Sequence, residues 1–338
     1  MLKRMLLSVF ILIWSAFITF AIISILPGDY FTRFKFAIAL AGLPVEETHH
    51  QILVEHGLDR PWIVQFASWI WAIVSKGSFG CSLGPTRVPG DSFELTLSYL
   101  LRSGGEIANS FLICGTSLVV AWLMAIPLGV VTSLRQGKWL YYGLSLVGMP
   151  SLAMPGFVLA GLVLWFLDVF IDPMMSRSAL WGICGWRFEG CPMSWAKFGS
   201  CIVHIIPIWF IVGLPVFTVG LRVFRSSMMD TILQPYITSA WGKGLNSRQV
   251  YHKHAVRNAL NPLISTIGVT LPTVLVNALM VGFIFGIPTY GDLLKQAIER
   301  QDSALLAAMM LFYSFVLVVG NLLADLGLAA VDPRIRYD

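Results

Sequence analysis

Six stretches of this sequence contain no Asp, Glu, Lys or Arg over lengths that can cross a lipid bilayer. A helix rises about 1.5 Å per residue, so about 20 apolar residues span the hydrocarbon layer. Inside that layer the backbone must satisfy its own hydrogen bonds, which favours helices over open strands. We therefore predict an all-α membrane protein with six transmembrane helices. The windows are Met5–Gly28, Ile107–Leu134, Trp139–Leu167, Phe198–Leu221, Asn258–Gly291 and Ser303–Ala324.

Charged residues are scarce, and Lys and Arg exceed Asp and Glu. Only 12% of the 338 residues are charged, against about 25% in a soluble domain. The net charge of +5 is typical of a membrane protein, because cytoplasmic loops carry excess Lys and Arg. No nucleic-acid-binding motif accompanies it, so we expect no nucleic-acid partner.

The positions of Lys and Arg predict the orientation of the chain. If the N-terminus is cytoplasmic, the inside segments hold twelve of the 23 Lys and Arg, and the outside segments hold eleven. Six of those eleven lie in the long first outside loop, and long loops count weakly in the positive-inside rule. The shorter loops place both termini in the cytoplasm.

This topology divides the chain into three parts. We predict a first transmembrane helix at 1–28, an outer loop subdomain at 29–106 and a five-helix core at 107–338. The core contains a cytoplasmic segment at 222–259 and an outer loop at 168–197. In the first outer loop, the stretch Glu55–Gly80 predicts a Trp-rich amphipathic helix at the membrane interface.

Two of the five cysteines, Cys184 and Cys191, share the second outer loop. If that side is oxidising, a disulfide between them is plausible. Cys81 and Cys201 lie on or near the same side and leave the pairing open. Cys114, inside an apolar window, is interpreted as a small packing residue.

The sequence contains no motif for ATP hydrolysis or for common hydrolytic chemistry. Neither Gly-Lys pair has the spacing of a Walker A loop, and there is no H-E-x-x-H or G-x-S-x-G motif. The apolar windows hold almost no ionisable groups of the kind that mark proton or ion pathways. We expect no catalytic residue, cofactor or metal on this chain, and energy supplied by a partner.

One basic segment stands between two apolar windows. Residues 236–259, "YITSAWGKGLNSRQVYHKHAVRNA", hold four Lys or Arg and no carboxylate. The segment resembles the cytoplasmic loop of ABC importer permeases of the dipeptide, oligopeptide and nickel class. In that family the loop forms a coupling helix that docks on an ATPase subunit. The residues that carry the match are Tyr236, Ala240, Lys243, Gly244, Leu245, His254, Ala255, Arg257, Asn258 and Ala259.

Other motifs of the family follow in order and cover nearly the whole chain. They are "ILPGD" at Ile25–Asp29, "GLDRPWIVQF" at Gly57–Phe66, "AIPLGV" at Ala125–Val130, "MPSLAMPGFVLA" at Met149–Ala160, the spacing of Arg222–Met228, and "DPRIRY" at Asp332–Tyr337. Their order implies the type I ABC importer permease fold.

The resemblance implies a set of residues that couple to the ATPase. These are Tyr236, Ser239, Ala240, Lys243, Gly244, Leu245, Arg248, His254, Arg257 and Asn258. Gly244 is expected to end or turn a short helix, because Gly adopts positive φ without steric cost. Small Ala240 is expected to let a docked helix approach closely. The cations are expected to pair with ATPase carboxylates or lipid headgroups, or to serve only as topology anchors.

Four short stretches depart from the family pattern. Thr238–Ala240 replaces Glu-Ala-Ala, and Trp241–Gly242 replaces Arg-Ala. Ile287–Gly291 stands in place of W-P-G-L-G, and Arg300–Ser303 in place of R-D-Y-P. We expect these changes to lie mostly on the partner-facing and outer sides of the protein.

The resemblance implies a permease subunit, not an enzyme, in the bacterial inner membrane. Its implied partners are two ABC ATPase subunits that bind ATP and Mg, a second homologous permease, a periplasmic or lipid-anchored substrate-binding protein, and membrane lipid. Di- or oligopeptides are the expected cargo; nickel, an opine or a sugar are alternatives. An ATP-independent secondary transporter or channel is the alternative of another class.

Overall fold

The computed structural model describes residues 2–25, 44, 50, 54, 59–83, 92–96, 105–170, 194–300 and 303–331. The helices are α1 (Leu2–Ile25), α2 (Trp62–Lys76), α3 (Glu106–Leu134), α4 (Trp139–Ala153), α5 (Gly156–Phe170), α6 (Trp195–Ile232), α7 (Pro235–Gly242), the single turn α8 (Ser247–Gln249), α9 (Val256–Ser265), α10 (Ile267–Phe285), α11 (Tyr290–Arg300) and α12 (Ser303–Val331). A π-helical turn, Val250–Ala255, joins α8 to α9, and two strands, β1 (Ser78–Leu83) and β2 (Ser92–Thr96), pair antiparallel.

Several helices are long and apolar enough to cross a membrane. Four described helices, α3, α6, α10 and α12, meet that condition singly, and the pair α4–α5 makes a fifth if it is one bent span. The apolar part of α1, Leu6–Ile22, is shorter. The prediction of an all-α membrane protein is confirmed in this coarser form. The count of six spans and the orientation of the termini stay predictions.

The window Trp139–Leu167 is two helices rather than one. The axes of α4 and α5 are bent by 117°. Met154, at the break, has an extended backbone with φ −95° and ψ 134°. Pro155 follows it, and a proline disfavours the helical conformation of the residue before it. The local sequence therefore explains the break.

The window Asn258–Gly291 is also divided. Thr266 ends α9 and precedes α10, and its hydroxyl donates to the Leu263 carbonyl at 2.6 Å. That bond satisfies one of the carbonyls that a helix end leaves without a partner. Only α10 within this window meets the length and hydropathy of a span.

Helix α6 is longer than its apolar window. It runs through Arg222 and Arg225, which we expected to begin a separate segment, and continues to Ile232. Its 38 residues correspond to about 57 Å, whereas the hydrocarbon layer is about 30 Å thick. The chain enters the basic segment only after this helical extension.

The chain forms two compact units, each continuous in space but not in sequence. The first combines Met1–Ile107 with Tyr290–Phe315, and the second combines Ala108–Thr289 with Val316–Asp338. The division of the sequence at 28 and 106 stays a prediction.

In the first unit, the predicted Trp-rich helix is present as α2. It ends at Gly77, whose φ is +65°. Its Trp62 and Phe66 rings pack against Phe17 of α1, at centroid distances of 5.5 and 5.4 Å. Trp69 is 7% exposed and packs with Ala16 and Ala307. The aromatic face of α2 is thus covered by the protein itself. The pairing of β1 with β2 was not expected from the sequence.

The Trp69 indole also links α2 to β1, because its Nε1 donates to the Phe79 carbonyl at 2.8 Å. Trp69→Phe removes the donor and leaves part of the buried indole volume unfilled, so we expect a loss of about 2–3 kcal/mol of stability. The midpoint of thermal unfolding of the purified protein in detergent should fall by a few degrees. Trp71→Phe, on the exposed side of the same helix, is the control and should leave the midpoint unchanged.

In the second unit, α6 packs against α3, α4, α9 and α10. Trp209 of α6 donates from Nε1 to Thr116 Oγ1 of α3 at 2.9 Å, which satisfies the indole inside an apolar surrounding. The free thiol of Cys114 is buried in α3, in agreement with its interpretation as a packing residue. The hydrogen bond of Trp209 joins the apolar part of α6 to α3.

Candidate functional site

The basic segment begins with the short helix α7. Pro235 occupies its first turn, where a missing N–H costs nothing because that N–H has no partner inside the helix. The helix ends at Gly242, and Gly244 has φ +75°. This positive φ matches the turn expected there, and it reverses the chain before Leu245.

The chain then re-enters helix at α8. The side chain of Asn246 caps it by accepting a hydrogen bond from the Gln249 amide at 2.8 Å. Asn is a favoured residue at this position because its carbonyl oxygen satisfies an orphan N–H. The cap fixes the point at which the second half of the segment begins.

The π-helical turn aligns four buried side chains on one face. Val250, Ala255, Ala259 and Leu263 are all 0% exposed, and their spacing is five, four and four residues. In a regular α-helix, residues five apart point about 140° away from each other. A π-helix has i→i+5 hydrogen bonds, so residues five apart stack. The extra residue therefore keeps Val250 on the buried face.

This stripe packs with α7 against the main bundle. Ile237 and Ala240 of α7 are 1% and 6% exposed, and they join the stripe in one cluster. The cluster also contains Phe224 and Met228 of α6 and Val130 of α3. The interpretation of Ala240 changes accordingly: its small side chain lets α7 approach its own bundle, and it does not lie on the exposed face.

The opposite face of the segment is exposed, polar and basic. Tyr236 and Trp241 are each 40% exposed, and Ser239, Lys243 and Arg248 are exposed as well. Within the described part of the chain, none of the four Lys and Arg of this segment lies within ion-pair distance of a carboxylate. Trp241 is fixed by an edge-on contact with Tyr251, with ring centroids 5.8 Å apart.

Three side-chain hydrogen bonds hold the residues implied by the resemblance. Asn258 Nδ2 donates to Tyr236 Oη at 2.7 Å, which joins the start of α7 to α9. Arg257 Nε donates to the Val331 carbonyl at 3.2 Å. Ser239 Oγ donates to the Pro235 carbonyl within α7.

The other implied residues are placed as follows. Leu245 is half-buried and packs on the cluster described above. His254 is half-buried in the π turn, and Arg248 is exposed in α8. Cys184 and Cys191 lie outside the described residues, so their disulfide stays a prediction. Cys201, in α6, is disulfide-bonded.

One polar residue of α6, His204, was overlooked in the sequence, and a second, Arg225, has a further contact that was not expected. His204 is 9% exposed within the apolar window, and its Nδ1–H donates to the Ser200 carbonyl at 2.6 Å. Arg225 lies 4.0 Å from the centroid of the Tyr141 ring and donates to Ser145 Oγ at 3.3 Å. Arg225 thus holds α4 against α6, a structural role in addition to the expected role as a topology anchor. The histidine was missed because only Lys, Arg, Asp and Glu were counted.

One of the departures from the family pattern lies in the interior. Ile287 and Thr289 are 0% exposed, and Tyr290 is 2% exposed. Burial raises the pKa of the Tyr290 hydroxyl, which donates to the Met309 carbonyl. That this stretch lies on the outer side of the membrane, as expected, stays a prediction. Its residues are fitted to the packing of the chain itself.

The described residues also bear on metal binding. No group of three His, Cys, Asp or Glu side chains among them is arranged to hold a metal ion. The features that are present are apolar helices of spanning length and one basic segment anchored by a buried face. Together these define a multi-pass membrane protein with one anchored basic segment.

Comparison with known proteins places this chain in a family. Residues 125–337 match the family of binding-protein-dependent transport system inner membrane components. The chain belongs to this family and is a transport component of the inner membrane. It is 29% identical to the oligopeptide transport system permease protein AppB of Bacillus subtilis, over 99% of this chain and 98% of that protein. It is also 29% identical to the dipeptide transport system permease protein DppB of Escherichia coli, over 95% of this chain and 93% of that protein.

Proposed function

We propose that this chain forms half of the translocation pathway of an ATP-driven importer for di- or oligopeptides. The peptide cargo rests on the names of full-length relatives. In this proposal six helices cross the membrane and both termini are cytoplasmic, with a second homologous permease completing the pathway. A membrane-impermeant thiol reagent that reached a cysteine placed at Arg248 from the outer side would contradict this orientation.

The observation that carries the proposal is the two-faced basic segment. Its apolar face is buried against α3 and α6, so the segment is part of the bundle and not a loose loop. Its exposed face offers aromatic rings and cations that have no carboxylate partner among the described residues. Such a surface is suited to an acidic protein partner, and we propose the ATPase subunit as that partner.

The mechanism follows from this placement. Two ATPase subunits bind ATP and Mg and close on each other, and each pulls the basic segment of the permease docked on it. Because the segment is packed into the bundle, the helices move with it between inward- and outward-facing arrangements. A substrate-binding protein delivers the peptide on the outer side. The permease itself performs no covalent chemistry.

The proposal is tested by purification and transport with the complete set of subunits. We expect the chain to co-purify with two P-loop ATPase subunits, and uptake of a labelled dipeptide into proteoliposomes to require ATP and the binding protein. Uptake by the purified chain alone, without any ATPase, would overturn the proposal and favour a secondary transporter or channel.

A further inference from the structure

We propose that Asn258 and Arg257, adjacent at the start of α9, link the basic segment to the last helix, α12. Asn258 holds α7 through Tyr236, and Arg257 holds the end of α12 through the Val331 carbonyl. This link would transmit movement of the docked segment to α12. The inference rests on the proposed function, because it names the path by which docking moves the bundle.

Neighbouring residues of a helix are suited to such a two-sided role. Successive side chains point about 100° apart around the axis, so Arg257 and Asn258 reach different neighbours. One hydrogen bond is 2.7 Å long and the other 3.2 Å. Adjacent residues of α9 make the two contacts, so a shift of this part of α9 moves α7 and the end of α12 together.

The end of α12 offers a natural acceptor for Arg257. The last carbonyls of a helix lack intrahelical partners, and the C-terminal end carries partial negative charge. A guanidinium donor at Val331 satisfies one of these carbonyls and interacts favourably with the helix dipole. Within the described residues, Arg257 is without a carboxylate partner, so this backbone contact is its polar anchor.

Close packing directly behind the link makes it stiff. Ala259 and Leu263, on the same helix, are fully buried in the cluster that holds α7. A Cβ added at Gly327 of α12 would lie 2.8 Å from Ile264 Cγ2 of α9. The two helices are therefore in close contact at this position. Movement of α9 toward α12 must displace α12, because packed interiors do not compress.

The test uses the complete transporter in proteoliposomes with matched variants. Tyr236→Phe and Asn258→Leu break the first contact, and Arg257→Met breaks the second. Tyr142→Phe and Arg135→Met remove the same groups from exposed positions of α4 and of the turn before it. For each we would measure ATPase retention, basal ATP hydrolysis, hydrolysis stimulated by the binding protein, and uptake of tritiated dialanine.

Because Tyr236, Arg257 and Asn258 belong to the segment that is proposed to dock on the ATPase, all rates are expressed per retained ATPase subunit and relative to the basal rate of the same variant. In the three link variants, stimulated hydrolysis and uptake should fall about fivefold, which corresponds to the loss of one hydrogen bond. The double variant Tyr236→Phe/Asn258→Leu should be no worse than either single one, because both remove the same contact. The control variants should match the wild type.

Several results would overturn the link while leaving the proposed function intact. One is hydrolysis stimulated by the binding protein to the wild-type level in all three variants. Another is a double variant whose fold-loss equals the product of the two single losses. A defect of Arg257→Met that vanishes in purely zwitterionic lipid would show that Arg257 acts on headgroups instead. A wild-type transporter that retains no ATPase would instead contradict the proposed function itself.

Discussion

Gly268→Leu is expected to abolish accumulation of the folded protein in the membrane. Gly268 lies where α10 crosses α12, and a Cβ at this position would be 2.9 Å from Asn321 Cγ and 3.2 Å from Asn321 Cα. The second of these atoms belongs to the backbone, so the helices themselves must separate. Overpacking of this kind costs about 3 kcal/mol or more when the backbone must shift. Fluorescence-detected size-exclusion chromatography of the detergent extract measures the loss.

The matched control is Gly161→Leu in α5. Among the described residues, no neighbouring atom lies within 4 Å of a Cβ at Gly161, so the same substitution meets open space there. We expect its elution profile to match the wild type. A normal profile for Gly268→Leu would show that the α10–α12 crossing is not as tight as the structure has it.

Gly244→Val is expected to separate the permease from its ATPase while leaving the membrane helices folded. Gly244 has φ +75°, a backbone conformation that a β-branched residue adopts only with strain of about 1–3 kcal/mol. The turn between α7 and α8 must then change, and the exposed face of the segment changes with it. We expect co-purification of the ATPase and ATP-driven uptake to be lost, with thermal stability of the bundle retained.

Two controls isolate the backbone effect at Gly244. Gly242→Val makes the same chemical change two residues earlier, where φ is not positive and no atom of the described part of the chain lies within 4 Å of the added Cβ. Gly244→Asn adds a side chain that tolerates positive φ. Both should retain the ATPase. Unchanged co-purification and uptake in Gly244→Val would count against docking through this turn.

The sequence was informative where its signals were local. The window Ile107–Leu134 corresponds to α3 within one residue, because a bilayer-length apolar run has few alternatives to a helix. Gly244 was identified as a turn from its residue type and the end of a helical pattern. The helix α2 was likewise visible from its periodic Trp and Phe residues.

The sequence was less informative where the structure depends on an irregular backbone. The buried face of the basic segment uses a spacing of five, four and four residues, and no regular helical period aligns Val250 with Ala259. The break at Met154 has a local signal in Pro155, but both sides of it are equally apolar, so the window was predicted as one span. The contacts of Tyr236 with Asn258 and of Arg257 with Val331 join residues 22 and 74 positions apart, which no local pattern predicts.

The length of α6 has a mechanical consequence. Its last eleven residues, from Arg222 to Ile232, extend about 16 Å beyond the apolar window. If α6 tilts by about 10° within the bilayer, its end at Ile232 is displaced by roughly 3 Å relative to the membrane surface. The converse also holds. A displacement of a few ångströms at Ile232 changes the angle between α6 and its neighbouring helices at Trp209.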